Sequence, residues 1–425
     1  MLRLSGADAL ALARRLSPGG PAWRPRRASL RRLVDEQGEL LDSCLLTWMP
    51  GPRSFTGEDV VEIACHGNPL IVEQLLDACV RLGARPARPG EFSRRALEHG
   101  RLGLIEAEAL AEQIAARSPA GLRLARQAGQ QLAPALELLY ERLLDLAAEL
   151  EARLDHPGED LGLIEDQDLL LRLARIRAEV GELAGSWRAG RLALSGLRLA
   201  LVGPVNAGKS SLFNALLGRP RALVSATPGT TRDAVESSVR LGDLDLVLVD
   251  TAGERSGADA LEQAGIELGR ALAEEVDLCL LVVDGHREAD PVEAALRDRL
   301  VGREHRVVLS HADLGLLPER RGDLAISNLT GQGLDELRAA LLVWARAGAG
   351  PAGGQLAVIN QRQHALLLEL GGWLALAEEA LGGEAGVALA AEAAQRGLAT
   401  IGELTGRDVR EEVLDRLFAR FCIGK

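Results

Sequence analysis

The 425-residue sequence predicts an α/β domain inserted into an all-α helical domain, with an α+β domain ahead of both. Three observations carry that reading. Between Leu197 and about Ala345, strand-like runs ("LRLALVG", "LDLVLVD", "DLCLLVVD", "HRVVLS", "LAIS") alternate with helix-like segments, the pattern of a mostly parallel sheet covered on both faces. Around it, "LELLYERLLDLAAELEARL", "DLLLRLARIRAEVGELAGSW" and "HALLLELGGWLALAEEAL" space apolar residues three and four apart with charges between them, as helices packed in a bundle do. Residues ahead of these mix short β-like runs, Leu40 to Trp48 and Val60 to Ala64, with a helical stretch from Ile71 to Leu82.

The expected boundaries follow from changes of character. Residues 1–100 form the α+β domain, 101–195 the first helical part, 196–345 the α/β domain, and 346–425 the second helical part, ending in "FCIGK". Two small-residue stretches, "RAGRLALSG" and "ARAGAGPAGG", serve as the entry and exit of the insertion.

Composition narrows the function. With 47% hydrophobic and 26% charged residues the chain is ordinary globular material, and no apolar run approaches the length of a membrane span. The opening "MLRLSGADAL" lacks the apolar stretch of a signal peptide. Five scattered cysteines without a CxxC pair argue against a disulfide framework or a zinc site, so a cytoplasmic location is expected. Cys65 and His66 are expected within a strand, pointing to opposite faces, which argues against thiol catalysis. The net charge of −12 repels polyanions at long range, so a nucleic-acid partner requires a local basic surface. "RPRRASLRR", Arg24 to Arg32, is the densest candidate, although a solvated loop and strand edge is the favoured account of it.

"GPVNAGKSS", Gly203 to Ser211, fits G-x(4)-G-K-[ST] between an expected strand and an expected helix. In that setting the backbone of Gly203, Asn206, Ala207 and Gly208 curls around phosphates, Lys209 reaches the β- and γ-oxygens, Ser210 ligates Mg²⁺, and Ser211 follows in the first helical turn. Downstream, "DTAG" (Asp250, Thr251, Ala252, Gly253) supplies a carboxylate for the Mg²⁺ shell and an N–H for the γ-phosphate. Between them, "SATPGTTRD" offers Thr231 as a further Mg²⁺ ligand, and "AISNLTGQGLDEL", with Ser327 and Asn328, resembles the Ser-Ala-Lys loop that closes such domains over the base. Together these predict a switch GTPase binding GTP or GDP.

One stretch departs from that pattern. "VVLSHADL" ends in Ser310-His311-Ala312-Asp313 where a guanine reader carries Asn-Lys-x-Asp. Asp313 keeps the carboxylate that accepts from guanine N1–H and the exocyclic amine. Ser310 is shorter than asparagine and is expected to tether the loop less well. His311 either stacks on the base or is an exposed loop histidine. Guanine preference is expected to survive with weakened affinity.

Further motifs carry a resemblance. "SFTGEDVVEIACHG", "RPGEFSRRALEHGRLGLIEAEALAEQI", "NAGKSSLFNALL", "PGTTRD", "DTAG" and the terminal "FCIGK" resemble the bacterial tRNA modification GTPase family MnmE, also called TrmE, over essentially the whole chain. The resemblance implies a folate-binding-like α+β domain, a helical domain and an inserted P-loop GTPase domain. It implies a homodimer through the N-terminal domain and a heterotetramer with an MnmG-type FAD-dependent protein. The pair would add a carboxymethylaminomethyl or aminomethyl group at C5 of the wobble uridine, U34, of certain tRNAs. It implies a 5-formyl-tetrahydrofolate or related folate on Arg3, Glu62, Arg101 and Lys425, with Cys422 either near that folate or a plain apolar residue at a helix end. It also implies K⁺ on Asn206, Ser225, Thr227 and Thr230 in place of an arginine finger, and Glu262 as a catalytic residue beside Lys209, positioning water through a second water. "HGNP" stands for the family's His-Gly-Gly-Pro, Arg101 for a lysine, Gly103 for an acidic residue, and Pro204-Val205 for Arg-Pro. The rival readings are a ribosome-assembly GTPase, for which no RNA-binding GXXG module is evident after Gly331, and a non-hydrolysing scaffold.

Overall fold

The computed structural model describes residues 1–116, 118–155, 166–217, 236–242, 244–249, 276–347, 358–382, 386–407, 411–419 and 421. The chain divides into two compact units. One comprises Met1–Ala115, Arg126–Glu182 and Gln361–Lys425; the other comprises Ala116–Ala125 and Leu183–Asn360. Among the described residues no helix is long and apolar enough to cross a membrane.

The first unit begins with an antiparallel sheet of β1 (Leu2–Ser5), β2 (Ser29–Val34), β3 (Leu40–Met49) and β4 (Val60–Ala64), in the order β1-β4-β3-β2. Its strands alternate because one face is covered: Leu33, Cys44, Leu46, Val61 and Ile63 pack against α1 (Ala9–Leu16) and α2 (Pro69–Arg81) through Ala13, Leu16, Leu75 and Ala78. Asn68 caps α2 by accepting from Leu70 N–H, with Pro69 at the first helical position. Cys65 and His66 do not lie in a strand as expected but just beyond β4. There the buried Asp42 carboxylate accepts from the His66 backbone N–H (2.9 Å) and lies 2.8 Å from its Nδ1, drawing the chain away from the ladder.

Helices fill the rest of this unit: α3 (Glu91–Glu98), α4 (Leu104–Ala115), α5 (Pro119–Asp155), whose first turns belong to the second unit, α6 (Asp166–Gly185), and three more described below. Along α5, Leu132, Leu136, Leu139, Leu143, Leu146 and Leu150 are all buried, at alternating spacings of four and three, so a single apolar stripe runs along the helix. Leu169, Leu173, Ile176 and Val180 do the same on α6.

The second unit holds α7 (Trp187–Ser195) and a six-stranded sheet of β5 (Leu197–Val202), β6 (Glu236–Leu241), β7 (Leu244–Val249), β8 (Leu278–Asp284), β9 (His305–Ser310) and β10 (Leu324–Ala325). The order is β10-β9-β8-β5-β7-β6, parallel except for β6, which runs antiparallel to β7. Two cores explain why β5 and β8 are apolar at every inner position rather than alternating. Leu199, Leu201, Leu280 and Val282 face α8 (Lys209–Leu217), while Ala200, Val202, Leu281 and Val283 face α9 (Pro291–Leu300). The last helix of this unit, α10 (Leu334–Ala347), adds Leu337 and Leu341 to the first core. From β5 the chain is paired on one side with β7 and on the other with β8, so the sheet order reverses there, the place where such sheets bind ligands.

The first unit is completed by α11 (Gln361–Gly382), α12 (Gly386–Thr405) and α13 (Glu411–Ala419). Arg94 of α3 holds α13 through Asp415 (2.5 Å) and Glu411 (3.0 Å). A buried polar knot joins three further helices. Arg362 of α11 donates to both carboxylate oxygens of the buried Glu108 of α4, at 2.6 and 3.1 Å, and to the carbonyls of Glu403 and Leu404 in the last turn of α12. Gln363 Nε2 donates to the same carboxylate at 2.7 Å. Removing the anion strands a largely buried guanidinium, so Glu108→Ala is expected to destabilise this unit by about 3–5 kcal/mol, read as a lowered urea midpoint, with Glu108→Gln intermediate.

Candidate functional site

The site grows from the end of β5. After Val202 the chain passes through Gly203, where a Cβ would lie 2.1 Å from the Val282 carbonyl oxygen on the neighbouring strand. Only glycine fits that approach. The loop then turns back on itself, with Ala207 N–H donating to Pro204 O at 3.3 Å. Asn206 takes a left-handed conformation (φ 63°), which asparagine tolerates better than most side chains, and leaves its side chain exposed at the tip. Gly208 (φ 87°) completes the curl, and α8 starts at Lys209.

Lys209 Nζ donates to Gly203 O at 2.6 Å and Pro204 O at 3.1 Å, so the ammonium arches over its own loop. Ser210 and Ser211 stand exposed on the first turn of α8. A helix N-terminus, a tightly curled glycine-containing loop and an ammonium above it form an anion receptor, and a hydroxyl at Ser210 with an amide at Asn206 are the hard oxygen donors that Mg²⁺ and K⁺ take. The donor set fits a nucleotide phosphate chain with its cations.

The second wall comes from the end of β9. Ser310 is fully buried, and its Oγ donates to Val283 O on β8 at 3.1 Å. His311 adopts a left-handed conformation (φ 58°), and its Nδ1 sits 3.2 Å from Ser310 Oγ and 3.3 Å from Asp284 Oδ1. The ring is therefore held by the loop beneath it. A short 3-10 turn, Ala312–Leu314, then presents Asp313, exposed. The neighbouring Ser327 hydroxyl, with His311 and His286 nearby, holds the Asp313 carboxyl below the usual carboxylate range.

Ser327 belongs to the third wall, the loop after β10. It is buried, its Oγ accepts from Thr330 N–H at 3.1 Å, and Ala312 N–H donates across to Ile326 O at 3.0 Å, so the two loops are stitched together. Asn328 Nδ2 donates to Gly208 O in the phosphate loop at 3.3 Å. Three loops distant in sequence thus meet at the C-terminal edge of one parallel sheet.

Other expected residues lie elsewhere. Ser225, Thr227, Thr230, Thr231, Asp250, Thr251, Ala252, Gly253 and Glu262 fall outside the described residues, as do Cys422 and Lys425. In the first unit, Arg3 and Glu62 are cross-strand partners on β1 and β4, bonded at 2.6 and 3.1 Å. The Arg3 guanidinium lies 6.0 Å from the centre of the Phe55 ring and 5.9 Å from that of Phe92. Arg101 is exposed after α3, and among the described residues no bond joins it to that pair. Sequence reasoning missed Phe55 and Phe92, and it missed Val283 and Asp284 as supports of the base loop. None of these carries a local signal, since each matters only through a contact that folding creates.

Comparison with known proteins agrees with this geometry. Residues 1–101 match the family model of the GTP-binding protein TrmE N-terminus, and residues 104–422 match that of the MnmE helical domain. The tRNA modification GTPase MnmE of Synechococcus sp. (strain CC9605) is 42% identical over 433 residues, covering 100% of this chain and 95% of that protein. The proteins of the same name from Myxococcus xanthus (strain DK1622), 41% identical over 441 residues, and Akkermansia muciniphila, 38% over 435 residues, also cover 100% of this chain and 95% of their own length. Sheet order, phosphate loop and full-length similarity converge, and the chain belongs to the MnmE (TrmE) family of tRNA modification GTPases.

Proposed function

We propose that this chain is a K⁺-activated GTP hydrolase that, with an MnmG-type FAD-dependent partner, modifies C5 of the wobble uridine U34 of certain tRNAs. The observation that carries the reading is the meeting of the Lys209 loop, the Asp313 loop and the Ser327–Asn328 loop at one sheet edge. The first binds phosphates and the second reads a base. A guanine edge offers two donors to one carboxylate, and Asp313 is held ionised by Ser327 to accept them.

In turnover, Lys209 exchanges its loop carbonyl acceptors for phosphate oxygens, while the N–H groups of the loop and of the first turn of α8 follow the developing negative charge. Mg²⁺ at Ser210 and Thr231, and K⁺ at Asn206, Ser225, Thr227 and Thr230, would add fixed positive charge beside the β- and γ-phosphates. Glu262 orients the attacking water. At Arg3 and Glu62, a guanidinium–carboxylate pair beside two aromatic rings suits a flat ring with several hydrogen-bonding edges, which supports a folate there, with Arg101 and Lys425 as further contacts and Cys422 near it. The reading includes a homodimer through the N-terminal domain, a heterotetramer with the partner, and a cytoplasmic location.

The decisive experiment compares hydrolysis of GTP and ATP in K⁺ and in Na⁺ of equal ionic strength. GTP alone should be turned over, and faster in K⁺; equal use of ATP, or indifference to K⁺, would sink the reading. Asn206→Gly keeps the left-handed turn but removes the amide, and should abolish the K⁺ stimulation while leaving GDP binding close to normal. Glu262→Ala should lower kcat by roughly 10²–10⁴-fold with little change in GDP affinity, as expected for a group that acts on water. Asp313→Asn replaces one acceptor by a donor and should weaken GDP while improving binding of xanthosine diphosphate, whose ring carries a carbonyl where guanine has its amine.

A further inference from the structure

We propose that Ser310 and Asn328 are an exchanged pair: the carboxamide of Asn328 ties the phosphate loop to the loop after β10, which is itself stitched to the Asp313 loop, and so supplies the link that an asparagine at position 310 would otherwise make. This rests on the nucleotide-binding reading above and adds to it a positioning residue. Ser310 stands where the guanine-reading pattern has asparagine, and its hydroxyl is committed to Val283 O on the adjacent strand. It does not reach the phosphate loop. Measured from an ideal Cβ built on Gly208, Ser310 Cβ is 3.7 Å away and its Oγ 3.9 Å, whereas Asn328 Nδ2 is only 3.2 Å away. The short side chain at 310 leaves room beneath Gly208, and the Asn328 amide enters that room and donates to Gly208 O at 3.3 Å.

The neighbours make this link more than a local contact. Ile326, two residues before Asn328, accepts from Ala312 N–H of the Asp313 loop at 3.0 Å. A continuous path therefore runs from the Asp313 loop through the Ala312–Ile326 hydrogen bond and Asn328 to Gly208, which immediately precedes Lys209. Asn328 Oδ1 is buried with no hydrogen-bond partner among the described residues, so the amide is oriented by what its NH₂ group does and not by satisfaction of both ends. A residue at this point sets the distance between base and phosphate subsites. Losing it should reduce affinity for the whole nucleotide and, by loosening Asp313, reduce discrimination against adenine.

The test is a double-mutant cycle on the full chain, reading dissociation constants for fluorescent GDP and ADP alongside thermal unfolding. Asn328→Ala is expected to weaken GDP by roughly 3- to 10-fold, the scale of one neutral hydrogen bond, and to narrow the GDP-to-ADP ratio. Asn328→Asp, nearly identical in shape, should be weaker still, because it turns a carboxylate towards the Gly208 carbonyl; it also covers the case in which the alanine variant fails to fold. Adding Ser310→Asn to Asn328→Ala should restore both affinity and ratio, since the amide returns from the other loop. Three results overturn the exchange: Asn328→Ala and Asn328→Asp binding GDP like the parent, a double variant no better than Asn328→Ala, or a fall in unfolding temperature with the GDP-to-ADP ratio unchanged. If the parent chain itself binds no guanine nucleotide, the functional reading fails first and takes this proposal with it.

Discussion

The close approach at Gly203 is the constraint on which the nucleotide site depends. β5 and β8 are neighbouring parallel strands, and the chain leaving β5 passes the Val282 carbonyl with no room for a side chain. That passage lets the loop turn above the sheet edge, brings Gly208 near Ser310 and starts α8 with its N–H groups facing the same space. The reversal of strand order at β5 then decides which other loops can reach it. β8 and β9 lie to one side, so the loops that follow β9 and β10 reach the phosphate loop from that side.

Among its contacts, Lys209 donates to two carbonyl oxygens of its own loop, acceptors weaker than a phosphate oxygen. The neighbouring Ser327 hydroxyl, with His311 and His286 nearby, holds the Asp313 carboxyl below the usual carboxylate range. His311 is different, because its ring leans on Asp284 and Ser310 and so belongs as much to the support of the loop as to the surface above it. Where Asn-Lys-x-Asp is replaced by Ser-His-Ala-Asp, the supports of the loop differ while the carboxylate of Asp313 remains exposed at its end.

The first unit solves a different problem. Its sequence comes from three separated stretches, and a buried polar knot between the first and the last gives those two a defined register. Arg362, from the last stretch, finds the Glu108 carboxylate from the first and the free carbonyls at the end of α12. A purely apolar interface would bury as much surface but would tolerate slippage of one helix along another. Arg94 repeats the device on the surface between α3 and α13.

Period and motif, both local properties, were sufficient to determine much from the sequence alone. The apolar runs of β5, β7, β8 and β9 marked a sheet buried on both faces, the three-and-four spacing of α5 and α6 marked a bundle, and the Gly203 to Ser211 motif marked the phosphate loop. Short or polar elements were missed: β6 and β2 carry too little periodicity, α1 buries Ala9, Ala13 and Leu16 at helical spacing but is only eight residues long, and β10 shrank to Leu324–Ala325 because only two residues pair with β9. The tertiary structure alone decided what lies opposite what. Asn328 is 120 positions from Gly208 and Glu108 is 254 from Arg362, and no local rule connects residues so far apart. A hydrogen bond across such a distance exists only once the strands and helices between its ends have been placed, which is why the supports of the site came from the fold and its motifs from the sequence.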